Sequence, residues 1–508
     1  MGNVFGRAQA LLANERGSRK EQTVNQYHPF AGARGFRAGM RNGGEMGSKR
    51  ISRRQFIQRG GTAALGASFA GALLAGCGGG SEGGGGQVTY WSNLEGSGPQ
   101  DYFGKNIEKP FEKSNKDTQL KVTFQPPDEM DRLVRTALQG GEGPDIVMTP
   151  GPAYAQEYID ANLFAELDDY AGQYGWDDKL LGWALDLGRV DGSLSAIPYQ
   201  LQTMLLYYNK SLFGEMGMKP PKNRDELEAM AEELSGQGVV PFAAGIGDDP
   251  AAVEWFPTVF WNHYSGPDAL YQALTGETKF ADPIFVEAIE LFKTYVDNGW
   301  FGGSQERFFS NGFDALHADF GEGKAAMNVE GSWFMASAAD FFGQAAGNEN
   351  DWDWTPLPPL REGVPPELYE LGIGSTLSVN QSSQNANGAA AFVDYLVADK
   401  ARVTEWMAAV PSAFNAPLPF QEGDFPSSMD PRVERQLVSL SQATSEGNFG
   451  YTNWSFFPAK STVYIQEEMQ KVLTGDITAA EYCSGLDEVF KEDRKEGLVP
   501  KIIKPGSA

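Results

Sequence analysis

Apolar residues recur along most of this chain at either the two-residue period of strands or the 3.6-residue period of helices. Val88-Thr89-Tyr90-Trp91 is a short β-rich run closed by polar residues and glycine. "VRTALQGGEGPDIVMTPG" reads as a helix, a glycine stop, a turn and a buried strand over 146–149. Phe285, Ile289, Phe292 and Val296 share one helical face. Residues 389–396 and 463–473 predict further helices, and Asn223 with Glu226 has the form of a capping box. Strands alternating with helices predict α/β units with largely parallel sheets. No repeat period runs through the chain.

The stretch before residue 88 breaks this pattern. An apolar run over 60–75 is rich in Gly and Ala and shorter than the ~20 residues a membrane span needs. Gly60, Gly61, Gly66 and Gly71 also oppose a stable soluble helix. Just upstream, Ser52-Arg53-Arg54-Gln55-Phe56-Ile57 resembles the twin-arginine export signal. Leu74-Ala75-Gly76-Cys77 resembles a bacterial lipobox, which implies cleavage before Cys77 and a diacylglyceryl group on its thiol. Two or more acyl chains suffice for stable anchoring. The glycine-rich run 78–86 then reads as a flexible tether with a reach of roughly 15–18 Å. Residues 1–76 are therefore expected to be a leader, and 77–87 a lipidated cysteine with its tether.

Charge separates the same two regions. The leader carries 12 Lys and Arg against 3 acidic residues, whereas the rest carries 29 against 64, a net charge of −35. So acidic a body repels nucleic acid and anionic lipid, and leaves the lipid anchor as the expected membrane contact. With two cysteines, Cys77 and Cys483, no disulfide framework or metal-ligand spacing can be argued. Beyond residue 77 there are two histidines, His263 and His317, so neither a metal site nor a histidine triad is expected. No Gly-x-x-x-x-Gly-Lys-Ser/Thr loop for ATP is present, and no cofactor is implied.

Four stretches carry a family resemblance. "GGEGPDIV" (140–147), "DGSLSAIPYQLQTMLLYYNKSLF" (191–213), "GEGKAAMNVEGSW" (321–333) and "VLTGDITAAEY" (472–482) resemble, in order and spacing, segments of extracellular solute-binding proteins that serve carbohydrate ABC importers. Maltose-binding proteins are familiar members. The resemblance covers 88–490 and implies an α/β, two-lobed periplasmic-binding-protein-like fold with a ligand cleft between the lobes. Chain crossings are expected near 199–203, 372–378 and 421–429, so that 88–201 with 376–425 forms one lobe and 202–375 with 426–508 the other. It further implies a monomeric, non-enzymatic binding protein outside the cytoplasmic membrane or in the periplasm. Its partners would be a carbohydrate ligand and the transmembrane subunits of a permease.

A sugar offers hydroxyls at its rim and an apolar ring face, so its site needs flat aromatic walls and amide, hydroxyl or carboxylate groups. Trp91 ends the first strand, at the edge where open α/β sheets place ligands; Glu95 lies just beyond, and Thr149 ends "IVMT" at the same edge. Gln202 falls in the first crossing, and Trp333 follows two small residues in "EGSW". Trp255 and Trp261 do not share a helical face, so one is expected to be core; Trp454 lies in a polar-aromatic segment before the last helices. Pro144 and Asp145 read as turn-forming, and Trp352 and Trp354 as packing. Gln202 and Thr149 depart from the carboxylate and aromatic some members carry, which leaves the sugar open. Two other functions fit less well. A glycoside hydrolase needs two carboxylates across a cleft, which adjacent pairs such as Asp168-Asp169 or Glu467-Glu468 do not supply. An acidic, Trp-lined cleft in the same fold would also suit a polyamine.

Overall fold

The computed structural model describes residues 86–411 and 413–506. The expected leader with Arg53 and Arg54, the expected acylation site Cys77 and the glycine run before residue 86 lie outside the described residues. Contacts divide the chain into Met1–Gly78 and Gly79–Ala508, and the fold below is that of the second unit.

Strand β1 (Gly86–Ser92) pairs in parallel with β2 (Thr118–Phe124), and Tyr90 meets Ile146 of β3 (Ile146–Thr149). Val88, Tyr90 and Ser92 point inward at the two-residue period, so this face packs on Phe103 and Phe392. Asp145 ties the sheet together. Its carboxylate accepts from Thr89 N (2.8 Å), Thr89 Oγ1 (2.6 Å) and Ser383 Oγ (2.6 Å), so it clamps neighbouring segments more than its own turn. A short ribbon, β4 (Arg189–Val190) and β5 (Ser193–Leu194), precedes β6 (Ile197–Pro198).

The chain then runs through β7 (Leu201–Gln202) into β8 (Met204–Asn209), β9 (Val240–Ala243), β10 (Ala325–Gly331) and β11 (Trp352–Thr355). It returns through β12 (Tyr369–Ile373) to β13 (Thr376–Val379), and β14 (Phe449–Tyr451) comes last. Besides the β4-β5 ribbon, the described residues form sheets ordered β2-β1-β3-β13-β6, β11-β8-β10-β9 and, linking them, β14-β12-β7. Residues 197–209 and 369–379 thus pass between the two larger sheets. A third passage lies between Pro417, whose carbonyl accepts from Leu181 N, and Arg432, whose guanidinium reaches Asp351 and the Trp352 carbonyl.

The sheets are mixed rather than largely parallel. β13 runs antiparallel to β3 and β6, and β8 runs antiparallel to β10 and β11. The reason is connectivity: a parallel neighbour needs a long return crossover, whereas these strands arrive directly from the other sheet.

Helices cover the sheets with the faces their patterns predict. Helix Pro283–Asp297 buries Phe285, Ile289, Phe292 and Val296. The Asn223 side chain accepts from Glu226 N and opens helix Arg224–Gly236. Helix Ala459–Thr474 stops at Gly475, φ +82°, and Thr478 with Glu481 forms the capping box of helix Ala479–Lys495.

Candidate functional site

Three tryptophans from distant parts of the sequence meet where the sheets adjoin. Trp333 follows β10, Trp255 opens helix Trp255–Phe260, and Trp454 sits in the short helix Asn453–Phe456. Ring centroids of Trp255 and Trp333 are 5.0 Å apart, and those of Trp333 and Trp454 are 5.9 Å apart; Phe313 stacks on Trp255 at 6.0 Å. Trp255 and Trp333 keep part of their surface exposed, while Trp454 is buried.

Glycines make room for this arrangement. A Cβ on Gly331 would fall 2.0 Å from the Trp333 ring, and one on Gly151 would lie 2.8 Å from the Trp454 carbonyl. Gly151 also holds φ +113°, a conformation side chains oppose, at the start of helix Pro152–Asp160. Its fit against Trp454 brings the β3 edge of the first sheet onto the Trp cluster.

Trp333 is held from below. Glu330, buried in β10, accepts from Trp333 Nε1 at 3.0 Å, Asn328 Nδ2 at 2.7 Å, and pairs with His317 Nε2 at 2.7 Å. A carboxylate so enclosed is tolerable because each oxygen is engaged, and the same contacts fix the indole.

Beside Trp255 lies a second acid, Glu254, 9 % exposed. Gln466 Nε2 donates to its Oε2. Burial pushes the carboxyl up to about 7, against the opposing pull of Gln466 and Asn453. Asn453 Nδ2 sits alongside without completing a hydrogen bond, and Trp454 Nε1 is likewise buried without a partner. Tyr154, from helix Pro152–Asp160, faces the same carboxyl and Gln466. Flat aromatic surface, unpartnered donors and a polar wall in one place make this the candidate site, with the chemistry to suit a small polar ligand that has an apolar face. Grooves of 280 and 420 Å³ elsewhere, beside Tyr369 with Arg435 and beside Tyr264 with Arg361, include none of these residues.

The family described as bacterial extracellular solute-binding protein matches residues 90–403, more than half of the chain. The chain belongs to this family. Relatives of this solute-binding protein include the alpha-glucosides-binding periplasmic protein AglE of Rhizobium meliloti, 23% identical over 311 residues, 57% of this chain and 65% of that one. The multiple sugar-binding protein of Streptococcus mutans is 25% identical over 242 residues, 46% of this chain and 54% of the relative. For a binding protein of Brucella abortus the match spans 39% of this chain and about half, 47%, of the relative's length. Among solved structures, a chitin oligosaccharide binding protein gives a TM-score of 0.67 at 20% identity, covering 81% of this chain and 99% of that one. The GacH receptor of Streptomyces glaucescens gives 0.60 at 20% identity over 81% and 98%. These likenesses carry the fold, the two-lobed α/β architecture of maltose-binding-protein type.

Of the residues singled out in the sequence, the solute-binding protein gathers Trp255, Trp333 and Trp454. Trp91 and Glu95 stand at the end of β1, Trp91 half-buried against the cluster around Met130 and Glu95 exposed. Gln202 lies in β7 opposite Gly372, its amide over the bare Cα of Gly374. Thr149 is buried, and its hydroxyl lies between Thr376 Oγ1 (2.5 Å) and the Gly151 carbonyl (3.1 Å). It shapes the turn that places Gly151, buried there rather than presented at the open sheet edge that the sequence suggested. Of Trp255 and Trp261, one of which was expected to be core, Trp261 is the buried one. It is fully buried among Phe280, Phe285, Phe457 and Tyr482, and its Nε1 donates to the Phe285 carbonyl at 3.2 Å. Glu254, Tyr154, Gln466 and Glu330 were missed: no spacing marks an acid before a Trp or an amide mid-helix as site residues.

Proposed function

We propose that this chain captures a saccharide outside the cytoplasmic membrane and delivers it to the transmembrane subunits of an ABC importer. The observation that carries the proposal is the meeting of Trp255, Trp333 and Trp454 beside polar groups from separate helices, Tyr154 of helix Pro152–Asp160 and Gln466 of helix Ala459–Thr474. Sugar-ring faces need such walls, and the unpartnered donors of Trp454 and Asn453 suit hydroxyl oxygens. Binding by relatives whose names specify alpha-glucosides or multiple sugars supports the same ligand class. In this reading 88–201 with 376–425 and 202–375 with 426–508 are the two lobes, and Trp91, Glu95 and Gln202 contact ligand when they close. Closure, rather than turnover, signals the permease. The chain works as a monomer, exported through Arg53-Arg54 and anchored through acylated Cys77, and it is not an enzyme. Among the described residues no helix is long and apolar enough to cross a membrane.

A melting-temperature screen of the purified chain against mono- and oligosaccharides tests this. A saccharide at 100 times its Kd adds about 2.7 kcal/mol of stability. At least one should raise the melting temperature, and Trp333→Ala should abolish that rise. Absence of a response to every saccharide would overturn the reading.

A further inference from the structure

Glu254 differs from Glu330, the other buried acid of this region, in having no basic side chain against it. Among the described residues no lysine or arginine pairs with it, and the charged or titratable groups that face it are all acidic or phenolic. They are Asp249 from its own turn, Tyr154 from helix Pro152–Asp160 and Tyr482 from helix Ala479–Lys495. Glu330, by contrast, has His317, Asn328 and Trp333 around both oxygens. Glu254 Oε2 accepts from Gln466, and the Asn453 amide lies close to the same carboxyl; both partners are neutral. The indole of the next residue, Trp255, belongs to the aromatic cluster. A buried carboxyl without a counter-charge, one residue along the chain from a tryptophan of the aromatic cluster, suits a cation.

From this geometry we infer that the saccharide held here carries a basic nitrogen, its ammonium seated beside the Glu254 carboxylate and the indole cluster. The inference rests on the saccharide-capture reading and narrows its ligand to amino sugars or amine-bearing glycosides. Trp454 Nε1 and Asn453 Nδ2 remain as donors to the hydroxyl oxygens of the same ligand. Binding the ammonium favours the ionised carboxyl, so it releases a proton from the fraction of Glu254 that is neutral beforehand. Below the range in which Glu254 ionises, that proton must be expelled and affinity falls. A neutral sugar has the opposite preference, because the protonated carboxyl can donate to a hydroxyl.

Calorimetric titration of the full chain in detergent decides the point. The probes are glucose and galactose oligosaccharides of one to four units, each paired with its 2-amino-2-deoxy counterpart, at pH 7 and pH 5. At least one amino sugar is expected to bind tenfold or more tighter than its neutral partner at pH 7, and to lose at least tenfold at pH 5. Glu254→Gln should erase both differences. Should that variant fail to fold, the wild-type chain still answers: titrations near pH 6.5 in buffers of differing ionisation enthalpy must show net proton release with the amine. Neutral sugars that bind as well as their amines, with no proton release, would overturn the inference and leave saccharide capture standing. Failure of both kinds to bind would remove both.

Discussion

Trp261 and Trp333 are the same residue type in opposite surroundings, and their hydrogen bonds tell them apart. Trp261 donates to a backbone carbonyl inside a closed aromatic core, whereas Trp333 is aimed by a buried carboxylate and keeps an open surface. Trp261→Ala should therefore cost about 3–5 kcal/mol in urea unfolding, the range for a large buried aromatic. Trp333→Ala should cost less stability and remove ligand binding, as measured by titration. Glu254 gives a pH signature of its own. Folding raises its carboxyl to about 7, so between roughly pH 4.3 and 7 the folded chain holds a proton the unfolded chain has released. Its stabilising contribution is complete below the lower value and is lost as pH rises through the upper one, a change on the order of 3 kcal/mol. Urea unfolding of wild type and Glu254→Gln should show the variant gaining relative stability from pH 5 to pH 8. Trp333 was legible in the sequence because glycine and serine before an indole mark a close approach. Glu254 was not, since its character comes from Gln466, Asn453 and Tyr154, none near it in sequence except through the fold.

At the scale of elements, the entry to helix Pro152–Asp160 couples the two sides of the site. Gly151 meets the carbonyls of Trp454 and Ile373, so its missing Cβ lets β3 and the short helix Asn453–Phe456 touch. Gly151→Ala should destabilise by about 1–3 kcal/mol through its positive φ and this contact. It should also weaken saccharide binding by displacing Trp454; melting and titration of one preparation separate the two effects. The helix stripe around Phe285 and the Asn223 cap could be read locally, because each depends on residues within a few turns. Sheet direction could not. A strand such as β13 looks the same in sequence whether its neighbour is parallel, and its antiparallel pairing follows from where β12 delivers the chain. Trp352 and Trp354 illustrate the same limit: they were read as packing, but their partners, Arg432 at 3.8 Å and Arg435 at 4.4 Å, come from a helix eighty residues on.

For the whole molecule, the passages 197–209 and 369–379 link the two large sheets through the β14-β12-β7 strands. If those strands are the hinge, a saccharide that raises the melting temperature should also lower the radius of gyration measured by solution scattering. Anchoring is tested separately: Cys77→Ser should free the exported chain from the membrane fraction without changing its affinity for sugar. Local sequence determined most of the elements, the family and the small-residue approach to Trp333, and it carries the resemblance to export and acylation signals, because each is encoded by neighbours along the chain. Only the tertiary structure decided that Trp454 joins Trp255 and Trp333, that Trp261 and Thr149 are buried away from that cluster's open surface, and that no lysine or arginine pairs with Glu254. Those outcomes depend on which distant segments share a dielectric environment and a volume, and that is fixed by the packing of the sheets.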